Sequence, residues 1–195
     1  MQGRIVFLLE EPSMETLLEG LLPRLFPGME AGSHFLCIKH EGKSDLDRSI
    51  PRKLKAWHYP NDRFVILRDN DSAICTDIKA RITKICMEAG RPDTLIRLVC
   101  QELESWYIGD LQALAVAFCD ERLASPATRK RFSTPDAWQK PSVELARMIP
   151  TFQKGSAARV MAESLTIDGN ISPSFHAFVT GIRRVASELG YGAAS

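Results

Sequence analysis

The sequence predicts an α/β protein built on an open parallel sheet with helices on both faces. Four short apolar runs have the length of buried strands, namely residues 5–9, 34–38, 63–67 and 95–99. A helical pattern of apolar residues follows each run. Strands that alternate with helices in this way are typical of parallel sheets joined by right-handed crossovers.

The first strand and helix have the most regular patterns in the chain. Residues 5–9 are all apolar, as expected of a strand that is covered on both faces. Pro12 cannot continue the strand as a hydrogen-bond donor, and Ser13 suits the N-cap of the helix that follows. An apolar stripe at helical spacing then extends over Met14, Leu17, Leu18, Leu21, Leu22 and Leu25.

The later strand–helix units are bounded or interrupted by polar loops, Pro and Gly. The second strand, residues 34–38, leads into the polar loop HEGKSD at residues 40–45. The next helical stripe contains Pro51, which either kinks the helix or opens a second one. The helix after the third strand is closed by Gly90, and the fourth strand is followed by an apolar helix over about residues 106–118.

The rest of the chain is predicted to be helical and less regular. Helix starts are expected at Pro135, Pro141, Lys154 and the pair Ser172-Pro173. We therefore expect an α/β domain at residues 1–118, with a helical C-terminal extension at residues 119–195 packed on it.

The charges are nearly balanced overall but unevenly spread. The chain has 25 Lys and Arg against 24 Asp and Glu, which excludes a polycation. Residues 1–120 have 15 basic against 18 acidic side chains, whereas residues 121–195 have 10 against 6. A basic C-terminal part beside an acidic site is compatible with a phosphate-backbone ligand, although a solvated surface is the simpler explanation.

Cysteine usage and hydropathy predict a cytoplasmic protein. The five cysteines include no Cys-x-x-Cys pair, which argues against a disulfide framework or a zinc knuckle. The apolar run at residues 5–9 is too short for a signal peptide. No run approaches the roughly 20 apolar residues that span a bilayer.

Acidic side chains follow three of the four predicted strands, as the pairs Glu10/Glu11, Asp69/Asp71 and Glu102/Glu104. The carboxyl ends of parallel strands share one edge of the sheet, where active sites of open α/β sheets lie. Residues two apart on an extended chain point the same way, so Asp69 and Asp71 can face one point. Carboxylates suit Mg²⁺ or Mn²⁺. We predict a metal site of Glu10, Asp69 and Asp71, which Glu104 or Glu102 could extend to a second ion.

Each of these residues also has a purely structural explanation. Glu10 could cap a helix, and Asp69 with Asp71 could form a polar turn. Lys43, placed in the loop at residues 40–45, could contact a phosphate or be an ordinary exposed lysine. Arg68 could pair with Asp69 or reach a phosphate.

Other polar and aromatic residues are expected to be structural. His40 could be a base or a ligand, but a lone histidine is more often structural. Trp106 is expected in the core, and Asp110, four residues later on the predicted helix, could cap or pair. Basic residues that could form a nucleic-acid track are Arg129, Lys130, Arg131, Lys140, Lys154, Arg159, Arg183 and Arg184. The sequence shows no aromatic interleaving among them of the kind that single-strand binders use.

Several of these stretches resemble the Toprim domain, the metal-binding domain of topoisomerases, DnaG-type primases and overcoming-lysogenization-defect (OLD) nucleases. A Toprim domain has a Glu after its first strand and an Asp-x-Asp after its third, and Glu10, Asp69 and Asp71 match these positions. A third acidic position of some Toprim proteins falls at Ala73, so this chain departs from the fuller pattern there.

More closely, the chain resembles a family of small bacterial Toprim-like proteins of unknown function. The matching stretches are LLEEPS at 8–13, HEGKSDL at 40–46, LRDND at 67–71, ELESWYIGD at 102–110 and SPSF at 172–175. The resemblance covers most of the chain, and the combination of stretches is more specific than any one of them.

The resemblance implies a fold and a metal site but no particular reaction. The convergence of Glu10, Asp69 and Asp71 at one sheet edge favours a Mg²⁺-dependent enzyme that acts on nucleic-acid phosphodiesters, most simply a nuclease. Its catalytic residues would be Glu10, Asp69, Asp71, Glu104 and Lys43. The resemblance also implies an ATPase partner in phage-defence-type systems. A non-catalytic module that binds nucleic acid or an ATPase is the alternative, which Ala73 favours modestly. A small-molecule phosphohydrolase fits less well, because the first Asp of such enzymes usually follows the first strand rather than the third.

Overall fold

Four parallel strands form the centre of the molecule in a computed structural model, which describes residues 3–191. They are β1 (Ile5–Leu9), β2 (Phe35–Lys39), β3 (Arg63–Asp69) and β4 (Leu95–Val99). The sheet has the order β2-β1-β3-β4, and every neighbouring pair is parallel. The predicted α/β class with an open parallel sheet is therefore confirmed.

Helices connect the strands and make up the C-terminal part of the described chain. The α-helices are α1 (Pro12–Leu25), α2 (Lys43–Ala56), α3 (Cys75–Glu88), α4 (Glu104–Gly109), α5 (Leu111–Ala117), α6 (Pro126–Arg131), α7 (Pro141–Met148), α8 (Lys154–Ser164) and α9 (Pro173–Glu188). Two short 3₁₀ turns lie at Glu121–Ala124 and Pro135–Ala137. None of the helices within residues 3–191 is long and apolar enough to cross a membrane.

The sheet separates two hydrophobic cores, because successive side chains of each strand point to opposite faces. Val6 and Leu8 of β1 face a core completed by α2 and α3. Ile5, Phe7 and Leu9 face a larger core that contains α1 and the helices after β4. All five residues of β1 are fully buried, which explains why this strand has no polar alternation.

Residues beyond 118 share the larger core with α1 instead of forming a separate one. Phe175, Phe178 and Ile182 of α9 belong to it together with residues of β1 and β4. A Cβ added to Gly20 of α1 would lie 2.7 Å from the Cβ of Ala162 in α8, so glycine is required for this close helix contact. The division at residue 118 stays a prediction.

Two helical stretches differ from the sequence prediction. The single helix expected over 106–118 is two helices, α4 and α5, because the chain leaves helical geometry at Asp110. The Asp110 carboxylate caps α5 by accepting a hydrogen bond from the N–H of Ala113 at 3.0 Å. Asp110 therefore does not share a helix face with Trp106, although Trp106 is fully buried in the core as predicted.

The N-terminal ends of α1 and α2 also differ from expectation. The N-cap of α1 is Glu11, with Pro12 as the first helical residue, instead of Ser13. Lys43 is the first residue of α2 and not part of a loop, because Gly42 takes a positive φ of 102° and turns the chain directly into the helix. Pro51 lies inside this one helix and does not start another.

Candidate metal centre

The point where the strand order reverses lies between β1 and β3. The chain leaves β1 toward β2 on one side and leaves β3 toward β4 on the other, and crevices at such positions bind ligands in open α/β folds. Glu10 follows β1, and Asp69 is the last residue of β3. The backbone N–H of Asp69 donates a hydrogen bond of 3.1 Å to Oε2 of Glu10, so the structure brings these two predicted site residues together.

Asp69 is the more deeply buried of the two aspartates in the Asp-x-Asp stretch. Its side chain is almost completely covered, and its Oδ1 has no hydrogen-bond partner among residues 3–191. Burial raises the pKa of Asp69 well above its ordinary value, and the nearby carboxylates of Glu11, Glu10 and Glu104 raise it further. A buried carboxylate that is surrounded by other carboxylates would be stabilised by a nearby cation.

Glu104 joins this group from the first position of α4. It is fully buried, and neither of its carboxylate oxygens has a hydrogen-bond partner within the described residues. Burial raises its pKa to about 7, although Lys154 opposes the rise. Glu104 raises the pKa of Asp69 electrostatically, so the two acids belong to one cluster.

Lys154 is a cation beside Glu104 and Glu11 that the sequence did not predict at this site. Its Nζ lies 3.6 Å from Oε2 of Glu104 and 3.5 Å from Oε2 of Glu11. Burial acts to lower the pKa of Lys154, but the carboxylates of Glu104, Glu11 and Asp69 outweigh it and the pKa is raised. The sequence singled out Lys154 only as a helix start and as part of a basic track, since nothing local connects it with residue 104.

Tyr107 is a second site residue that the sequence prediction missed. Its hydroxyl is buried and has no hydrogen-bond partner in the described part of the chain. Burial raises the pKa of Tyr107 well above its ordinary value, and the negative charges of Glu104 and Glu11 raise it further. The available signal was the spacing, because residues three apart on a helix lie on the same side, and Tyr107 is three residues after Glu104.

Arg68 holds the Glu10 side of the cluster in place. Its Nη1 lies 2.9 Å from Oδ1 of Asp47, and its Nε lies 3.8 Å from Oε2 of Glu10. Burial raises the pKa of Glu10, and Arg68 is the strongest influence that opposes the rise. Arg68 itself is buried, so it forms a structural ion-pair network with Asp47 and Glu10 rather than the predicted pair with the Asp69 carboxylate.

Asp71 and Lys43 form an ion pair with each other at the exposed side of the site. The extended-chain reasoning fails after Asp69, because β3 ends there and Asp71 and Ser72 have positive φ angles of 43° and 66°. Asp69 and Asp71 consequently lie in different surroundings, one buried and one exposed. Lys43 also influences Glu10 electrostatically, so this ion pair lies beside the buried acids.

Glu102 and His40 have structural roles. The strand β4 ends at Val99, and Oε2 of Glu102 accepts a hydrogen bond of 2.9 Å from the backbone N–H of Ser142 at the start of α7. His40 uses Nδ1 to contact the carbonyl oxygen of Leu9 at 2.8 Å. The alternation that would pair Glu102 with Glu104 is therefore absent, and of the two only Glu104 is fully buried in the acidic cluster.

The donor set fits a hard divalent cation, although the side chains are not arranged around one. Within residues 3–191, no three His, Cys, Asp or Glu side chains are placed to hold a metal ion together. Buried carboxylate oxygens of Asp69 and Glu104 nevertheless lack partners, and such oxygens are the ligands that Mg²⁺ takes. Binding an ion would require these side chains to turn toward one another and Lys154 to withdraw.

The fold and the acidic cluster define an α/β protein with a carboxylate-rich site at the reversal point of a four-stranded parallel sheet. The chain belongs to the family described as Domain of unknown function (DUF4276), whose model matches residues 9–183. No curated protein matches it significantly.

Solved structures with a similar fold are C-terminal regions of OLD proteins. The region from Xanthomonas campestris pv. campestris is 15% identical with a TM-score of 0.51, and the match covers 95% of this chain and 98% of that one. The region from Burkholderia pseudomallei is also 15% identical with a TM-score of 0.51, covering 97% of this chain and 100% of that one. At this identity the likeness concerns the fold alone.

Proposed function

We propose that this protein is a divalent-metal-dependent enzyme that hydrolyses phosphodiester bonds of nucleic acids. The observation that supports this most strongly is the convergence of Glu10, Asp69 and Glu104 at the reversal point of the sheet, with buried carboxylate oxygens that lack partners. Acids with this surplus of negative charge are stabilised when a divalent cation binds, and phosphate oxygens are the other ligands that Mg²⁺ usually takes.

The fold agrees with a Toprim-type site. The OLD C-terminal regions share the fold over nearly their whole length. In this chain, Glu10 follows the first strand and Asp69 with Asp71 the third, which is the Toprim arrangement that the sequence resembles. Glu104 would compensate for the acid that is missing at Ala73, because it reaches the cluster from the first residue of α4.

Each residue has a distinct part in the proposed chemistry. Glu10, Asp69 and Glu104 would hold Mg²⁺ or Mn²⁺, and a bound ion supplies Lewis-acid polarisation of the phosphate and a lowered pKa of a bound water. Lys154, already beside Glu104, would donate to a phosphate oxygen when the acids turn to the cation. Asp71 and Lys43 border the site and would exchange their ion pair for contacts with the metal and the phosphate.

A cleavage assay with the full chain tests the proposal. Plasmid, single-stranded DNA and single-stranded RNA are incubated with Mg²⁺, with Mn²⁺ or with EDTA. We expect metal-dependent cleavage by the wild type and a loss of at least about 100-fold in Asp69→Asn, because the amide weakens binding of the cation that stabilises the transition-state charge, and loss of one such stabilising group costs about that much. An inactive wild type on all three substrates with both metals would refute it.

Matched controls separate the proposed ligands from other acids nearby. Glu104→Gln should lose activity, whereas Glu102→Gln should retain it, since Glu102 binds the backbone of Ser142. Asp77→Asn changes an exposed aspartate in the first turn of α3 and should also remain active. Equal losses in Glu102→Gln and Glu104→Gln would mean that the assay reports general damage and not the site.

A second candidate is a non-catalytic module that binds nucleic acid. The observation in its favour is that two lysines, Lys154 and Lys43, already pair with the acids of the cluster. In that case the acids would only fix the lysines in place. Nucleic-acid binding by Asp69→Asn that equals the wild type, with no turnover by either protein, would support this candidate.

A further inference from the structure

A shallow groove with a volume of about 540 Å³ lies on the C-terminal helical part, between the segment after α6 and helix α7. We call it the 131–147 groove, after its first and last residues. Its charged and aromatic lining is formed by Arg131, Trp138, Lys140, Glu144 and Arg147. We propose that this groove binds a short stretch of single-stranded nucleic acid and leads it to the acidic cluster, an inference that rests on the proposed function.

Trp138 provides a surface for stacking a base. It is only partly buried, and its ring lies against Phe132, with 4.8 Å between the ring centroids. The guanidinium carbon of Arg131 lies over both rings, 5.3 Å from the centroid of Trp138 and 4.9 Å from that of Phe132, so a base would stack on the Arg131–Trp138 pair. An aromatic ring beside a basic side chain is the combination on which single-strand binders stack successive bases. The sequence alone did not reveal it, because Arg131 and Trp138 meet only after the turn between them.

Glu144 holds two arginines of the groove in place. Its buried carboxylate forms ion pairs with both Arg131 and Arg147. One carboxylate cannot neutralise two guanidinium groups, and each guanidinium has five N–H donors, so both retain donors for a phosphate. Lys140 adds a further positive charge at the N-cap of α7 and has no ion pair among the described residues. The lining therefore has three positive charges against one negative charge.

The groove is anchored to the loop that carries the acidic cluster. The N–H of Ser142, in the first turn of α7, donates to Glu102, and Glu104 lies only two residues further along the chain. Two residues span at most about 7 Å. On its other side, Asp136 accepts hydrogen bonds from Ser172 and Ser174 at the start of α9, which tie the turn before Trp138 to that helix.

The chemistry favours a single strand over a duplex. A base can stack on Trp138 only when it is released from its own neighbours, as in single-stranded DNA or RNA. The volume of the groove is within the range of about 300–1,000 Å³ that small-molecule pockets have, which suits one or two nucleotides and not a double helix. The positive lining would contact the backbone on both sides of the stacked base.

Binding is measured on Asp69→Asn protein in EDTA, so that neither cleavage nor metal is involved. The fluorescein-labelled probes are oligothymidylate, an abasic oligonucleotide of the same length, oligouridylate and a DNA duplex. Binding of each probe is measured by fluorescence anisotropy. We expect Trp138→Ala to weaken oligothymidylate binding roughly 5- to 150-fold, as removal of one stacking aromatic does. Trp138→Phe should retain most of the affinity. The abasic probe should bind equally weakly to all three proteins.

Charge variants test the phosphate contacts separately. Lys140→Ala should lower the slope of log affinity against log salt by about 0.7, the value for one phosphate contact on a single strand. Lys130→Ala is the matched control, because this exposed lysine of α6 does not line the groove.

Equal binding by Trp138→Ala and the parent, equal affinity for duplex and single strand, or no binding to any probe would each overturn the proposal. Binding without cleavage in the metal assay would support the groove and refute the nuclease. Comparison of oligothymidylate with oligouridylate shows which of the two strands, thymidylate DNA or uridylate RNA, the groove prefers.

Discussion

The Nζ atom of Lys154 lies 3.6 Å from Oε2 of Glu104, although 50 residues of sequence separate the two. This contact joins the first residue of α8 to the first residue of α4. Glu104 is fully buried and has no hydrogen-bond partner for either oxygen among residues 3–191. Lys154 thus partly compensates a carboxylate that burial would otherwise keep protonated.

Glu104 should make stability depend on pH when divalent metal is absent. Its pKa in the folded protein is about 7, above the ordinary 4.5, so the folded state keeps a proton that the unfolded state has released. As the pH rises from about 4.5 to about 7, the free energy of unfolding should therefore fall by about 3 kcal/mol because of this residue. Urea unfolding in EDTA at pH 5 and pH 8 measures the fall. Glu104→Gln should reduce it, whereas Glu102→Gln should reduce it less, because Glu102 only adds to the rise in the pKa of Glu104 that burial causes.

Divalent cations should stabilise the folded protein through the same acids. Mg²⁺ or Mn²⁺ at about 100 times its dissociation constant should add about 2.7 kcal/mol to the free energy of unfolding. Thermal unfolding at pH 8 with increasing metal measures the effect. The increase should disappear in Asp69→Asn and remain in Asp77→Asn. An identical increase in all three proteins would indicate that the ion binds elsewhere.

Arg68 and Arg81 contact the same carboxylate but should differ in their effect on stability. Both lie within about 3 Å of Asp47, at 2.9 and 3.0 Å, but the Arg68 side chain is 5% exposed and that of Arg81 49% exposed. Arg68→Ala should cost about 3–5 kcal/mol, because it leaves Glu10 buried without its cation. Arg81→Ala should cost less than about 1 kcal/mol. Similar losses in urea unfolding would contradict the network described for Arg68.

Asp110 should be important for stability and not for chemistry. Its carboxylate caps α5 through Ala113 and also accepts hydrogen bonds from the N–H and the hydroxyl of Thr166, at 3.0 and 2.7 Å. Asp110→Ala would leave these donors unpaired in the interior and should cost about 2–4 kcal/mol. Asp120→Ala removes a solvent-accessible cap of a 3₁₀ turn and should cost less. Chemical unfolding of both variants tests this difference, and their metal affinity should equal that of the wild type.

The strands and the acids that follow them could be predicted because their signals are local. An apolar run such as Ile5–Leu9, bounded by Pro and polar residues, defines a buried strand without knowledge of its neighbours. Since the carboxyl ends of parallel strands share an edge, Glu10 and Asp69 could be expected near each other before the structure was known. The serine cap of α9, Ser172, was predictable for the same local reason.

The features that could not be predicted depend on long-range packing. Lys154 reaches Glu104 only because α8 packs against α1, as the contact of Gly20 with Ala162 shows. The break at Asp110 is stabilised by Thr166, which is 56 residues away. Asp71 is separated from Asp69 because the backbone changes to positive φ at Asp71. The pattern of apolar and polar residues does not predict such a change.

The packing of α8 on α1 has a consequence for the order in which the chain is made. At roughly 5–20 residues per second, a ribosome adds Lys154 about 3–10 s after Glu104. Throughout that interval the synthesised chain includes the residues of the four strands, the acids and α1, but neither the ammonium group that compensates the acids nor the helix that covers Gly20. The acidic cluster therefore reaches its final form only after synthesis has passed α8, so a stalled chain that ends before residue 154 lacks the finished site.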